Sequence, residues 1–249
     1  MFKKTRDDGN VFIRAFFNSG INITQTVLFG LISSVLFARV FGLEILGQFT
    51  LLTSYVTIIC SIASLGILSG FKRESVWFVA NRENMGNYLL LIYIFCFIST
   101  SIVGTLIFVF EDVFIRIFRV DQEIFSYLYI YIIVYTFLYV PAMILMNVFE
   151  SYQEILPQVK INFITGVIKI ISITLFFFIF PSAMGGIMTQ VIVPNVIIIY
   201  LGFYYIKQFN LKLDIKNIKK RIINLKNSII FSLKSFPLML AELIFANTA

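Results

Sequence analysis

A chain of 249 residues that is 59% hydrophobic and 13% charged, with a mean hydropathy of +0.92, has too little polar surface to clothe a water-soluble globule. Histidine is absent and the two cysteines, Cys60 and Cys96, fall inside apolar runs, so a histidine base, a catalytic zinc centre and a disulfide framework drop out as readings. Membrane hydrocarbon is the solvent that this composition suits, and the lipid bilayer is the first partner it implies.

The cationic start, residues 1–10, leads into an apolar stretch too long for a signal peptide and without a small-residue cleavage site, so the first span is expected to be retained. Apolar runs of about 20 residues, the length a helix needs to cross hydrocarbon, predict spans over 11–38, 46–71, 88–110, 124–149, 158–180 and 185–206. A seventh opens near Ile229. The short alternating strands of an outer-membrane barrel are not seen, which makes the predicted fold an all-α polytopic transmembrane helical bundle. Its parts are a six-helix lobe over 1–206, a basic connection over 207–228, and the opening of span seven over 229–249.

Lysine and arginine divide unevenly between alternate ends of these spans. Sixteen lie at one end: Lys3, Lys4, Arg6, Arg14, Lys72, Arg73, Arg82, Lys160, and eight between Lys207 and Lys234. Arg39, Arg116 and Arg119 lie at the other. The positive-inside rule then puts the amino terminus and the basic connection in the cytoplasm. It also accounts for the net charge of +7 without nucleic acid as a partner.

In the connection, Leu211, Ile215, Ile218, Ile222, Ile223 and Leu225 recur at near-helical spacing among lysines, the pattern of an amphipathic helix lying on the cytoplasmic leaflet. A shorter segment of the same kind is expected at 71–87, with Trp77 as an interfacial anchor. A weak internal echo, Arg14, Ala15 and Phe16 against Lys234, Ser235 and Phe236, with Asn22 and Glu242 following, suggests a repeat boundary near the connection.

Two polar stripes stand out within the spans. Arg14, Asn18, Asn22, Gln25 and Ser33 share one face of span one, and Gln158, Asn162, Thr165, Lys169 and Ser172 share one face of span five. Polar groups are costly against lipid, so such faces turn to a water-filled pathway or to a neighbouring helix. Lys169 falls near mid-membrane, where an ammonium is kept for a substrate anion, a proton relay or a counter-ion, Glu242 on span seven being the candidate pair. Asn147, Glu150 and Glu154 share a face at the end of span four. Pro141 and Pro194 are candidate kinks, and Tyr127, Tyr131, Tyr135 and Tyr139 form a ladder suited to sugar stacking or, with more weight, to helix packing.

Ala38, Arg39, Val40, Phe41 and Gly42, followed by Leu46, Gly47, Gln48 and Phe49, resemble the turn between spans one and two of oligosaccharide flippases. These form the polysaccharide-transport branch of the multidrug, oligosaccharidyl-lipid and polysaccharide exporter superfamily. Leu65, Gly66 and Ile67 ahead of Lys72 and Arg73, and Ser235, Phe236, Pro237 and Leu238 at span seven, extend the resemblance along the chain. It implies the first of two six-helix lobes around a central cavity, working by alternating access, with the carboxy-terminal half of the transporter as a partner. Ser64 stands where many relatives carry an acidic residue, which departs from ion coupling there.

The resemblance implies a flippase for polyprenyl-diphosphate-linked oligosaccharide, the repeat unit of an O-antigen, capsule or other surface polysaccharide, in a bacterial cytoplasmic membrane. Arg14 and Lys169 would attract the diphosphate, and Asn18, Asn22, Gln25 and Asn162 would offer hydrogen bonds to sugar or water. No bond is made or broken in this reading, so no catalytic residue, metal or cofactor is expected. A polysaccharide polymerase or glycosyltransferases would be further partners. The competing readings are an organic-cation antiporter of the same superfamily, expected to carry cavity carboxylates, and a non-transporting membrane assembly protein. A membrane sugar transferase would need a metal-holding acidic loop; the one acidic cluster, Glu111, Asp112, Asp121 and Glu123, falls on the outer side.

Overall fold

The computed structural model describes residues 5–81, 83–118, 122–180, 182–209, 211 and 218–248, with side chains described outside 5–16, 18, 117–118, 123, 208, 218–220, 238–240 and 242–248. All elements among the described residues are helical. They are α1 (Thr5–Phe41), α2 (Leu43–Ala63), α3 (Ile67–Ala80), α4 (Gly86–Val109), α5 (Glu111–Phe118), α6 (Gln122–Val134), α7 (Val140–Ser151), α8 (Ile155–Phe177), α9 (Ala183–Ile187), α10 (Val193–Ile206) and α11 (Ile218–Thr248). Six stretches among the described residues are long and apolar enough to cross a membrane: Ser19–Phe41, Leu43–Ala63, Gly86–Val109, Ile124–Ser151, Ile155–Phe177 and Ala183–Ile206. The protein is a multi-pass, all-α membrane protein.

The second span is shorter than its apolar run. Where hydropathy predicts helix to residue 71, α2 stops at Ala63 and a separate helix, α3, begins at Ile67. Leu65 (φ 51°) and Gly66 (φ 63°) are both left-handed, and the helix end is closed by Gly66 N–H to the Ser61 carbonyl and Leu65 N–H to the Ile62 carbonyl. This is a Schellman closure with a leucine in the position that glycine usually holds. It hides a helix end within an unbroken apolar run. In α3, Phe71 and Phe78 are fully buried while Trp77 is half exposed.

The two larger of three core clusters among the described residues are stacked along the bundle, the third being Phe37, Phe41 and Ile173 between α1 and α8. One, toward α3, gathers Phe71, Phe78, Tyr88, Ile92, Leu145 and Val148. The other, toward α5, gathers Leu52, Val56, Ile107, Leu128, Tyr131 and Ile187. Between them spans four and six depart from α geometry. A π-helical turn, Tyr135–Tyr139, joins α6 to α7, and a second, Met188–Ile192, joins α9 to α10. In both, a backbone N–H reaches five residues back, Val140 to the Tyr135 carbonyl and Val193 to the Met188 carbonyl. The cause lies one residue further on, where Pro141 and Pro194 have no N–H to continue the α ladder. The two wide turns touch each other, and Tyr135 packs against both clusters.

Span four is the centre of the bundle and α1 its edge: in an apolar 18-residue stretch of each, 56% of residues are buried within Ile124–Ser151 against 11% within Ser19–Phe41. α1 packs chiefly on α8, which in turn packs on α10. Continuous helix through 218–248 crosses the expected boundary between connection and seventh span at 228/229. Its first half docks on α3 and α4, so the amphipathic pattern has a protein-facing side as well as an exposed one. Ser228 and Ser232 are buried inward while Ile222, Ile223, Ile230 and Leu233 remain exposed. Small polar groups face protein and the large apolar ones face outward.

Candidate functional site

The polar stripes of spans one and five meet. α1 and α8 run parallel, with Asn22 opposite Asn162, Phe29 opposite Phe163 and Gly166, and Phe41 opposite Phe177. Close approach depends on Gly166, because a Cβ built there would lie only 2.4 Å from Phe29 Cγ. Asn162 Nδ2 donates to Asn22 Oδ1 at 2.7 Å across the gap. The Gln25 Oε1 and Thr165 Oγ1 atoms are buried and have no hydrogen-bond partner among the described residues. Gln25 also lines a shallow groove of about 350 Å³ with Phe17, Gly20, Ile21 and Thr24.

Within the span-five stripe, residues seven apart behave alike. Gln158, Thr165 and Ser172 are buried; Gln158 Nε2 donates to the Met146 carbonyl at 2.9 Å and Ser172 Oγ to the Lys169 carbonyl at 2.8 Å. Asn162 and Lys169 form the adjacent line, half-buried and two turns apart, about 10 Å along the axis. Lys169 lies three residues past the middle of Ile155–Phe177, and helical Cα–Cβ bonds tilt toward the amino-terminal end, which here returns the side chain toward mid-span. The ion pairs among the described residues are Lys72 with Glu150 at 3.1 Å and Arg221 with Glu83, and neither involves Lys169.

Asn22, Gln25 and Asn162 are thus brought to one seam, with Lys169 further along the same stripe. Arg14 and Asn18 belong to α1 and Glu242 to α11, but their side chains lie outside the described residues, as does any pairing of Glu242 with Lys169. Ser33 is buried and bonds its own helix, donating to the Gly30 carbonyl. The tyrosine ladder goes into packing: Tyr131 is buried with its ring stacked on Phe49, and Tyr135 stacks on Tyr139 at 4.6 Å. Asn147 is buried with Nδ2 unpartnered among the described residues, and Glu150 is spent on Lys72.

A second polar seam, between α3 and α11, escapes sequence reasoning. Arg221 pairs with Glu83 and lies 4.7 Å over the Phe78 ring; Asn224 Nδ2 donates to Glu74 at 3.3 Å; Tyr88 and Ser228 share a short hydrogen bond; and Gly70 N–H donates to Ser232 Oγ at 3.1 Å. Its partners are 138 to 162 residues apart, and serine, glycine and asparagine in helices carry no signal of such pairing.

No group of three or more metal-binding side chains occurs among the described residues. Carboxylates described within the six spans sit only near their ends, at Glu44 and Glu150. The fold defines a polytopic helical membrane protein, with a polar stripe that carries one lysine at the α1–α8 seam. Neither protein-family models nor curated proteins give a match to the chain.

Proposed function

We propose that the chain forms one lobe of a carrier that moves polyprenyl-diphosphate-linked oligosaccharide across a bacterial cytoplasmic membrane, amino terminus inside, by alternating access. The observation that carries this reading is the α1–α8 seam: buried amide and hydroxyl oxygens without partners among the described residues, on a stripe with a lysine that no described carboxylate neutralises. Such a stripe favours an anionic, hydrogen-bonding head group, while the lipid tail stays in hydrocarbon. Span-interior carboxylates, which an organic-cation antiporter needs, do not occur among the described residues. The thin enclosure of α1 leaves room for the second lobe the reading requires.

The test is export of lipid-linked oligosaccharide in a host lacking its own flippase, normalised to inserted protein. Lys169→Arg is expected to retain partial export, and Lys169→Met to lose about tenfold or more, the size of a lost hydrogen bond to a charged group. Wild-type export by Lys169→Met sinks the electrostatic role. Rescue of Lys169→Met by Glu242→Gln assigns the lysine to a structural pair instead.

A further inference from the structure

Two apolar grooves on the outer wall of the bundle converge on one cation. The larger, about 840 Å³, runs between α4 and the α7–α10 pair over Tyr93, Phe137 and Pro141. The smaller, about 490 Å³, follows the outer face of α10 past Tyr200 and Tyr204. They share Leu138, Ile199, Phe203 and Lys207, so the ridge between them ends at the ammonium. Lys207 is the one charged residue described in either lining, and it has no carboxylate partner among the described residues.

The backbone beneath this cation is held. Ile206 is buried, and Phe209 stacks on the Tyr152 ring at 4.2 Å, pinning the turn Lys207–Phe209 to the end of α7. Lys207 follows directly on span six, at the membrane face where the cation-rich segments gather, which is the depth of a lipid phosphate.

We propose that the paired grooves bind a two-chained anionic phospholipid, with its phosphate at Lys207 and one acyl chain in each groove. Charge selects the head group, since the linings hold an ammonium and no carboxylate. Geometry selects the tail: two channels meeting at one cation suit a diacyl lipid, whereas a single-chain isoprenoid fills one and leaves the other bare. The site lies on spans three, four and six, away from the α1–α8 seam, and does not rest on the transport reading.

Quenching of single tryptophans by brominated lipids tests this in the full chain reconstituted in nanodiscs. Trp77 is the one native tryptophan, so Trp77→Phe gives a silent background. Into it go Phe203→Trp, on the shared ridge, or Leu175→Trp, an exposed position on α8 outside both grooves. At Phe203→Trp, brominated phosphatidylglycerol is expected to associate about five-fold more strongly than brominated phosphatidylcholine, the preference one near-surface lysine supplies. At Leu175→Trp the ratio should be close to one. Lys207→Gln should abolish the preference at Phe203→Trp, and Lys207→Arg should keep it. The proposal is overturned by a ratio near one with Lys207 intact, by a ratio that Lys207→Gln leaves unchanged, or by equal association of single-chain brominated lysophosphatidylglycerol. Absence of quenching at Phe203→Trp alone would show the grooves covered by protein and overturn it as well.

Discussion

The α3–α11 and α1–α8 seams are built to the same plan and finished differently. Each brings two helices together at a glycine, Gly70 in one and Gly166 in the other, and each has side-chain hydrogen bonding between residues far apart in sequence. At Gly70 the opposing atom is the Ser228 backbone carbonyl, and the surrounding polar groups are paired: Arg221 with Glu83, Asn224 with Glu74, Tyr88 with Ser228. At Gly166 the opposing group is the Phe29 side chain, a single amide pair crosses the gap, and Gln25 and Thr165 keep buried oxygens unpartnered among the described residues. A saturated seam behaves as a fixed joint. An unsaturated one retains unmet hydrogen-bonding capacity, which a head group or a moving helix can use.

The contrast is broken most forcefully at the glycines. Gly70→Val drives a branched side chain into backbone that cannot rotate away, and a loss of about 3 kcal/mol is expected, at the upper end for overpacking. The readout is a lower midpoint of thermal unfolding in detergent and a reduced folded fraction. Gly166→Ala places a Cβ 2.4 Å from Phe29 Cγ, so the ring must turn about χ1 or the helices part, and about 2 kcal/mol is expected in the same assay. Equal losses at the two sites would refute the distinction between a fixed and a yielding joint.

The smallest effect is expected at the amide pair. A double-mutant cycle with Asn22→Ala and Asn162→Ala should give a coupling of about 0.6 kcal/mol, typical of hydrogen bonds between membrane helices. Steric trapping in bicelles resolves differences of that size. A coupling near zero would mean that the 2.7 Å contact contributes no stability and that both amides are free for another partner.

What the sequence disclosed follows the physics of each signal. Spans are legible because hydrocarbon imposes a length and a composition, and five of the six predicted ends lie within three residues of a break in the helix or its immediate closure. The facing of Asn22 and Asn162 was half legible: spacing put each on a polar stripe, but only three-dimensional packing shows that the stripes meet. The end of α2 was not legible, since Leu65 in a left-handed conformation is invisible to hydropathy. The α3–α11 seam was illegible for another reason, because Gly70, Ser228 and Ser232 mark close approach only once their partner is known.

The π-helical turns have a consequence for how the chain may be drawn as a wheel. Each adds one residue to a turn, which advances the following helix by about 100° relative to an unbroken ladder. Faces assigned upstream of Tyr135 and Met188 therefore do not continue beyond Tyr139 and Ile192, and spans four and six are each two helices out of phase. The tyrosines at every fourth position look like one ladder on paper. In the molecule Tyr127 and Tyr131 serve the core toward α5, while Tyr135 bridges to the core toward α3. Both phase slips fall at the level where the two cores meet, and they touch. The bundle consequently holds two packed blocks indexed to different helical phases and joined where the backbone ladder is at its loosest.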